Sequence, residues 1–190
     1  MRVIYGVDPG VTGAVAIFVD GRLEELVDMP SAPVPSGKGS RVQAAMLAEI
    51  VRDAQVRWPM SSAEHVAVIE QVSAMPTDGG IQAFAFGHAA GCIEGVFSAM
   101  GVAVELVSPS KWKADMGLTT KRSPAVEGET PQQARARRTA AKTASKDASR
   151  AMAARFYPSW VTHFARKRDD GRAEGVLLGR WFTSRRGDAS

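Results

Sequence analysis

Asp8 closes the apolar run Val3-Ile4-Tyr5-Gly6-Val7, and Glu70 closes a second one, Val66-Ala67-Val68-Ile69. An acid at the tip of a buried strand is costly to keep there without a cation or a partner, so the pair points to a metal site. Toward the C-terminus, Asp169, Asp170 and Glu174 open the helix-like run Ala173 to Leu178. Asp170 and Glu174 are four apart and share a helical face, whereas Asp169 is turned about 100° from Asp170. Acids from two strands and one helix thus form the candidate set Asp8, Glu70, Asp170 and Glu174, with Asp169 as a further candidate ligand. No Cys or His stands at ligand spacing beside them, and an all-oxygen donor set favours a hard ion over zinc. Taken singly, each acid has a plainer reading: Asp8 as a turn aspartate before Pro9-Gly10, Glu70 as a strand-end surface residue, and the C-terminal three as helix-start acids.

A second group of side chains is basic. The chain carries 24 Lys and Arg against 20 Asp and Glu. The excess is concentrated between Lys111 and Arg155, where Asp115, Glu127, Glu129 and Asp147 are the only acids. Such a segment suits a polyanion. Lys111 and Lys113 flank Trp112, and Lys142, Lys146 and Arg150 recur at four-residue spacing along one helical face, so these five are the candidate phosphate contacts. Against this stands the ordinary solvated helical face, the more frequent explanation for any single lysine.

These side chains need a frame. At 190 residues the chain has the length of one domain, expected here to span 1–190. Val3 to Val7, Ala14 to Val19 and Leu23 to Asp28 read as strands, the last two joined by the hairpin turn Asp20-Gly21. Pro30 to Ser40 reads as a loop, and Val42 to Trp58 as a helix. The Glu70 strand, a Gly-rich loop, a helix from Ile81 to Met100 and a strand from Val102 to Val107 follow. A short helix carries Lys111 to Lys113, residues 119–130 read as a mobile polar loop, and a long helix runs to about Phe156 until Pro158 breaks it. The last helix begins near Asp169. The single cysteine, Cys92, reads as a buried core residue of a reducing compartment. No apolar run approaches the roughly 20 residues of a membrane span, and no secretory-type leader opens the chain, so a cytoplasmic protein without a membrane partner is expected.

The order β-β-β-α-β-α-β-α-α predicts an α/β fold. It calls for a five-stranded mixed sheet with strands 1–3 antiparallel, strands 4 and 5 parallel to strand 1, and helices on both faces. That is the ribonuclease-H-like arrangement, in which the ends of the first and fourth strands are neighbours and Asp8 lies beside Glu70.

With these residues in view, the sequence resembles the RuvC-type Holliday-junction resolvases, particularly their phage-encoded relatives. The resemblance rests on Gly6-Val7-Asp8-Pro9-Gly10 with Thr12-Gly13, on Ile69-Glu70-Gln71, on Gly87 and Gly91, on Ser108-Pro109-Ser110-Lys111-Trp112-Lys113, and on Asp169-Asp170-Gly171-Arg172-Ala173-Glu174. The motifs occur in the expected order over nearly the whole chain. The family commonly closes with two aspartates three apart, and here the spacing of the best-placed pair is four, which leaves Asp169 and Asp170 both open as the ligand.

The resemblance implies an Mg²⁺-dependent endodeoxyribonuclease with two cations per site, for which Mn²⁺ can substitute. Its partner would be a four-way DNA junction, cut by paired symmetric nicks. In that picture Asp8 bridges the cations, Glu70 holds one, and Asp170 with Glu174 holds the other. The resemblance also implies a homodimer near Gly87 and Gly91, and it makes Met75 a candidate for insertion at the junction centre, against the alternative that this apolar loop residue folds inward. Two other functions compete. One is a nuclease of the same fold acting on another branched or hybrid substrate; the other is a junction-binding protein without catalysis, against which stand the acids beside a phosphate path. The Asp8 to Gly13 turn also resembles the phosphate loop of actin-like ATPases, but those need a second similar domain for which the chain has no room.

Overall fold

The computed structural model describes residues 1–35, 37, 39–71, 79–118, 128–185 and 187. β1 (Arg2–Asp8), β2 (Ala14–Val19) and β3 (Arg22–Asp28) form an antiparallel meander. The β2–β3 turn is the two residues Asp20 and Gly21, with φ of 46° and 83°. Two successive positive φ values give the twist that a two-residue hairpin requires, and Asp-Gly supplies them at low cost. β6 (Glu64–Glu70) pairs parallel with β1, and β7 (Ala103–Val107) pairs parallel with β6. The resulting five-stranded sheet has the order β3-β2-β1-β6-β7, as the order of elements predicts.

Helices cover both faces, and strand alternation decides which residues each face receives. Val3, Tyr5, Val7, Ala67 and Ile69 point toward α1 (Ala44–Arg57) and α2 (Gly80–Ala99), where they pack with Leu47, Val51, Ile93 and Phe97. Ile4, Val66 and Val68 point the other way. That second face is covered by α3 (Pro109–Asp115), α4 (Pro131–Phe156) and α5 (Asp170–Arg185), through Trp112, Ala153, Val176, Leu177 and Trp181.

Several local expectations change. The stretch 30–40, read as a loop, contributes β4 (Ser31–Pro33), which pairs with β5 (Ser40–Val42) in a separate two-stranded sheet. Three residues are too few to show alternation. After Pro158 the chain forms 3-10 turns at Pro158–Phe164 and Lys167–Asp169, and α5 begins at Asp170. Cys92 is only partly buried against the α2 side of the core. Among the described residues no helix is long and apolar enough to cross a membrane. Met75 and residues 119–127 lie outside the described residues.

Candidate metal centre

Asp8 and Glu70 end adjacent parallel strands, one step beyond the Val7–Ile69 pair. Both have the parity of the second face, so both carboxylates turn toward α3 and α5. α5 crosses this face and brings Glu174 over the strand ends. Carboxylate oxygens of Asp8, Glu70 and Glu174 all lie within 4.8 Å of one another. Ligands on opposite sides of a cation bound at 2.0–2.6 Å are themselves roughly 4–5 Å apart, so three acids at this spacing match the size of one ion.

The electrostatics are those of a cluster lacking positive charge. Burial pushes the Asp8 carboxyl up to about 8, the nearby Glu174, Glu70 and Asp170 charges add to the rise, and Lys113 opposes it. Burial likewise raises Glu70, with Glu174 adding to it, while Lys113 and the Trp112 hydrogen bond act against the rise. Lys113 supplies the cation that the fold itself provides. Its Nζ donates to Glu174 Oε2 at 2.9 Å and stands 3.6 Å from Glu70 Oε2. Burial alone would lower the Lys113 pKa, but Glu174 and Glu70 hold it above the ordinary lysine value. An ammonium drawn among three carboxylates is a stand-in cation, and with an all-oxygen donor set the residues fit a hard divalent ion.

Neighbouring groups fix the acids. The fully buried Trp112 donates its indole N–H to Glu70 Oε2 at 2.8 Å, and the Ser149 hydroxyl donates to Glu174 Oε1 at 3.3 Å. Trp112 thus packs in the core and also orients Glu70, a role for which the sequence carried no signal beyond its place between two lysines. Ser149 carried none.

The remaining candidates separate. Asp170 stands one turn before Glu174 and pairs with Lys146 Nζ at 2.5 Å. Asp169 is buried and committed elsewhere: its Oδ2 accepts the Arg166 backbone N–H at 2.8 Å, and its carboxylate faces the Arg166 guanidinium. Burial alone would raise Asp169, but the Arg166 hydrogen bonds outweigh it and hold the carboxyl below its ordinary value. Lys113 lies within the acid cluster rather than on an outer surface. Lys111, Lys142 and Lys146 are exposed. Arg150 corrects the expected basic stripe, because its side chain is only 15% exposed and its guanidinium pairs with Asp147 and donates to the Phe164 carbonyl. The exposed residues on that face instead continue toward the N-terminus of α4, through Arg138 and Arg135.

No family model matches the sequence, and no curated protein does. Solved structures do match in fold. The structure described as Thermus thermophilus RuvC in complex with Holliday junction substrate is 16% identical, is matched over 100% of this chain and 99% of that one, and has a TM-score of 0.52. A second Thermus thermophilus RuvC structure is 14% identical over 99% and 98% of the two chains, with a TM-score of 0.46. The first of these establishes a RuvC-like, ribonuclease-H-like fold.

Proposed function

We propose that the chain is an Mg²⁺-dependent endonuclease that resolves four-way DNA junctions by paired, symmetric nicks. The observation that carries this reading is the convergence of Asp8, Glu70 and Glu174 on the end of the sheet, within the fold shared with a protein described in complex with a Holliday junction. When bound, divalent cations would activate a water and neutralise charge on the leaving 3′ oxygen of the scissile phosphodiester.

The residues would divide the work as follows. Asp8, whose charge is coupled to the other three acids, would be shared between two cations, Glu70 would hold one, and Glu174, with Asp170 a turn earlier, would hold the other. Lys113, which pairs with Glu174 and Glu70, would be the lysine nearest a phosphate oxygen brought to the cluster, while Trp112 and Ser149 keep Glu70 and Glu174 aimed. Lys111 and the exposed α4 stripe of Arg138, Lys142 and Lys146 grip the phosphate backbone leading to the site. The protein acts as a homodimer. Ile81 and Phe84 are 91% and 69% exposed on α2, and a side-chain carbon placed at Gly87 or Gly91 would meet nothing within 4 Å, which supports an outer α2 face fit for a second copy. Two-fold symmetry then presents equivalent sites to opposed strands.

The test is incubation of the full chain with labelled four-way junctions, linear duplex and RNA–DNA hybrid, with and without Mg²⁺. Paired nicks on the junction alone are expected, with Mn²⁺ substituting and Ca²⁺ supporting binding without turnover. Cleavage confined to the hybrid would favour the other nuclease reading, and junction binding without cleavage in any cation would favour the non-catalytic one.

A further inference from the structure

α5 rests on the sheet through glycines. Gly171, Gly175 and Gly179 recur every fourth residue and form one stripe of the helix. A Cβ on Gly175 would lie 3.1 Å from the Gly6 carbonyl oxygen and 3.2 Å from that of Ala14. One on Gly6 would fall 2.3 Å from the Gly175 carbonyl oxygen, and one on Gly171 would fall 2.5 Å from the Thr12 carbonyl oxygen and 2.9 Å from Asp8 Oδ2. Backbone therefore meets backbone along this crossing, a closeness that only glycine permits. On α2, by contrast, Cβ atoms at Gly87, Gly91 and Gly95 would meet nothing within 4 Å.

The contact lies where it governs the acids. Gly6 precedes Asp8 by two residues on the same strand face, and Gly175 adjoins Glu174. The depth at which α5 rides on β1 therefore fixes how far the Glu174 carboxylate reaches toward Asp8. Adding a Cβ at Gly175 asks its neighbours to give by a few tenths of an ångström. That increment matters because Mg²⁺ binds oxygen at about 2.0–2.1 Å in a strict octahedron, whereas Ca²⁺ accepts about 2.3–2.6 Å in a looser shell.

We propose that the Gly6–Gly175 contact is a depth stop for α5, and that these two positioning residues set the carboxylate cage to a small divalent cation. The inference rests on the metal-site reading above, and its test keeps the two apart. Mg²⁺ and Ca²⁺ are titrated separately, by calorimetry, into the full metal-free chain, wild type and Gly175→Ala. Lifting α5 should lower Mg²⁺ affinity about 10-fold and Ca²⁺ affinity no more than about 2-fold, a change in selectivity that mere loss of stability would not produce. Gly95→Ala, at an open position, should leave both affinities unchanged.

An unaltered Mg²⁺ to Ca²⁺ ratio in a folded Gly175→Ala protein overturns the depth stop alone. A wild type that binds neither ion overturns the metal site and the depth stop with it. Should Gly175→Ala fail to fold by circular dichroism, Glu174→Asp decides whether the reach of that carboxylate sets the selectivity, without which the depth stop falls. It withdraws the carboxylate by one methylene without touching the crossing, and it should shift the ratio toward Ca²⁺; equal loss for both ions would refute the proposal.

Discussion

β1 and β6 hand Val3, Tyr5, Val7, Ala67 and Ile69 to the α1–α2 side of the sheet, and Ile4, Gly6, Asp8, Val66, Val68 and Glu70 to the α5 side. Apart from the hydrogen-bonded Tyr5–His65 pair, the first face stays apolar to the strand ends and is closed by aliphatic and aromatic side chains from both helices. The second is apolar only as far as Val68, then passes through a glycine contact into three carboxylates and a lysine. The same two strands thus supply a packing face and a charged face one residue apart. Any close cluster of acids costs stability, so the contrast teaches that the second face gives up packing for a constellation that only a bound cation would fully offset.

The largest expected effect lies on the charged face. Asp8→Asn should lower junction cleavage by at least ~10³-fold, with junction binding intact or tighter, as gel-shift and cleavage assays on the same preparation would record. The same variant has a pH signature. The folded Asp8 carboxyl is raised from 3.8 to about 8, so the metal-free native state binds more protons than the unfolded chain between those values. The contribution of Asp8 to stability is therefore present below about 3.8 and is lost as pH rises toward 8. Melting temperatures of wild type minus Asp8→Asn should fall steadily across that range without metal, and a flat difference would remove the account of Asp8 as a carboxyl disfavoured by burial and by neighbouring like charge.

Next in size is the packing face. Leu47, fully buried on the inner face of α1, should cost about 2–5 kcal/mol when changed to Ala, read from denaturant midpoints. Cation affinity per folded molecule should not change; a parallel loss of affinity would show that the two faces are not separable.

Within the charged half, Arg150 and its helix neighbours should behave oppositely. Arg150→Ala should cost about 1–3 kcal/mol of stability, because it removes the donor to the Phe164 carbonyl while the exposed Asp147 stays solvated, and it should barely alter the salt dependence of DNA binding. Arg138, Lys142 and Lys146 changed together to Ala should leave melting nearly unchanged and flatten the slope of log affinity against log salt by about 2–3 units. Equal slopes in the triple variant and wild type would send the DNA path elsewhere.

The smallest effect returns to the packing face. His65 Nδ1 meets the Tyr5 hydroxyl at 2.8 Å and Nε2 meets the Trp58 carbonyl at 2.7 Å, an arrangement that suits a neutral ring with Tyr5 and Nε2–H as donors. Burial lowers its pKa below 6.5, with the Trp58 hydrogen bond acting the other way. This stabilisation is present above pH 6.5 and is lost as pH falls toward the depressed folded value. His65→Gln should remove that mild acid sensitivity from the denaturant midpoint, and wild-type acid sensitivity retained in the variant would place its origin in another group.

Much of this contrast was written in short-range pattern. The Asp20-Gly21 pair dictates its hairpin because adjacent residues settle it, and the order of strands and helices pointed to parallel pairing of β1, β6 and β7, whereas the β1–β6 register is what puts Asp8 and Glu70 on one face. Spacing of four places Asp170 with Glu174 on one helical face, again through near neighbours in the chain. Other features depended on which surfaces meet in space. Lys113 reaches Glu174 across 61 positions, and Trp181 reaches Asp115 across 66. Nothing in a periodic basic stripe distinguishes Arg150, turned in toward the Phe164 carbonyl, from Lys142, left in water, since both share one helical period and only the packing of the 3-10 turn against α4 separates them. Asp169 and Asp170 differ by a single position, and the choice between a cap and the edge of an acid cluster was made by where α5 starts. The Gly171-Gly175-Gly179 stripe reads in sequence as weak helix; only its descent onto Gly6 turns missing side chains into a set distance, because a glycine's effect is defined by what approaches it.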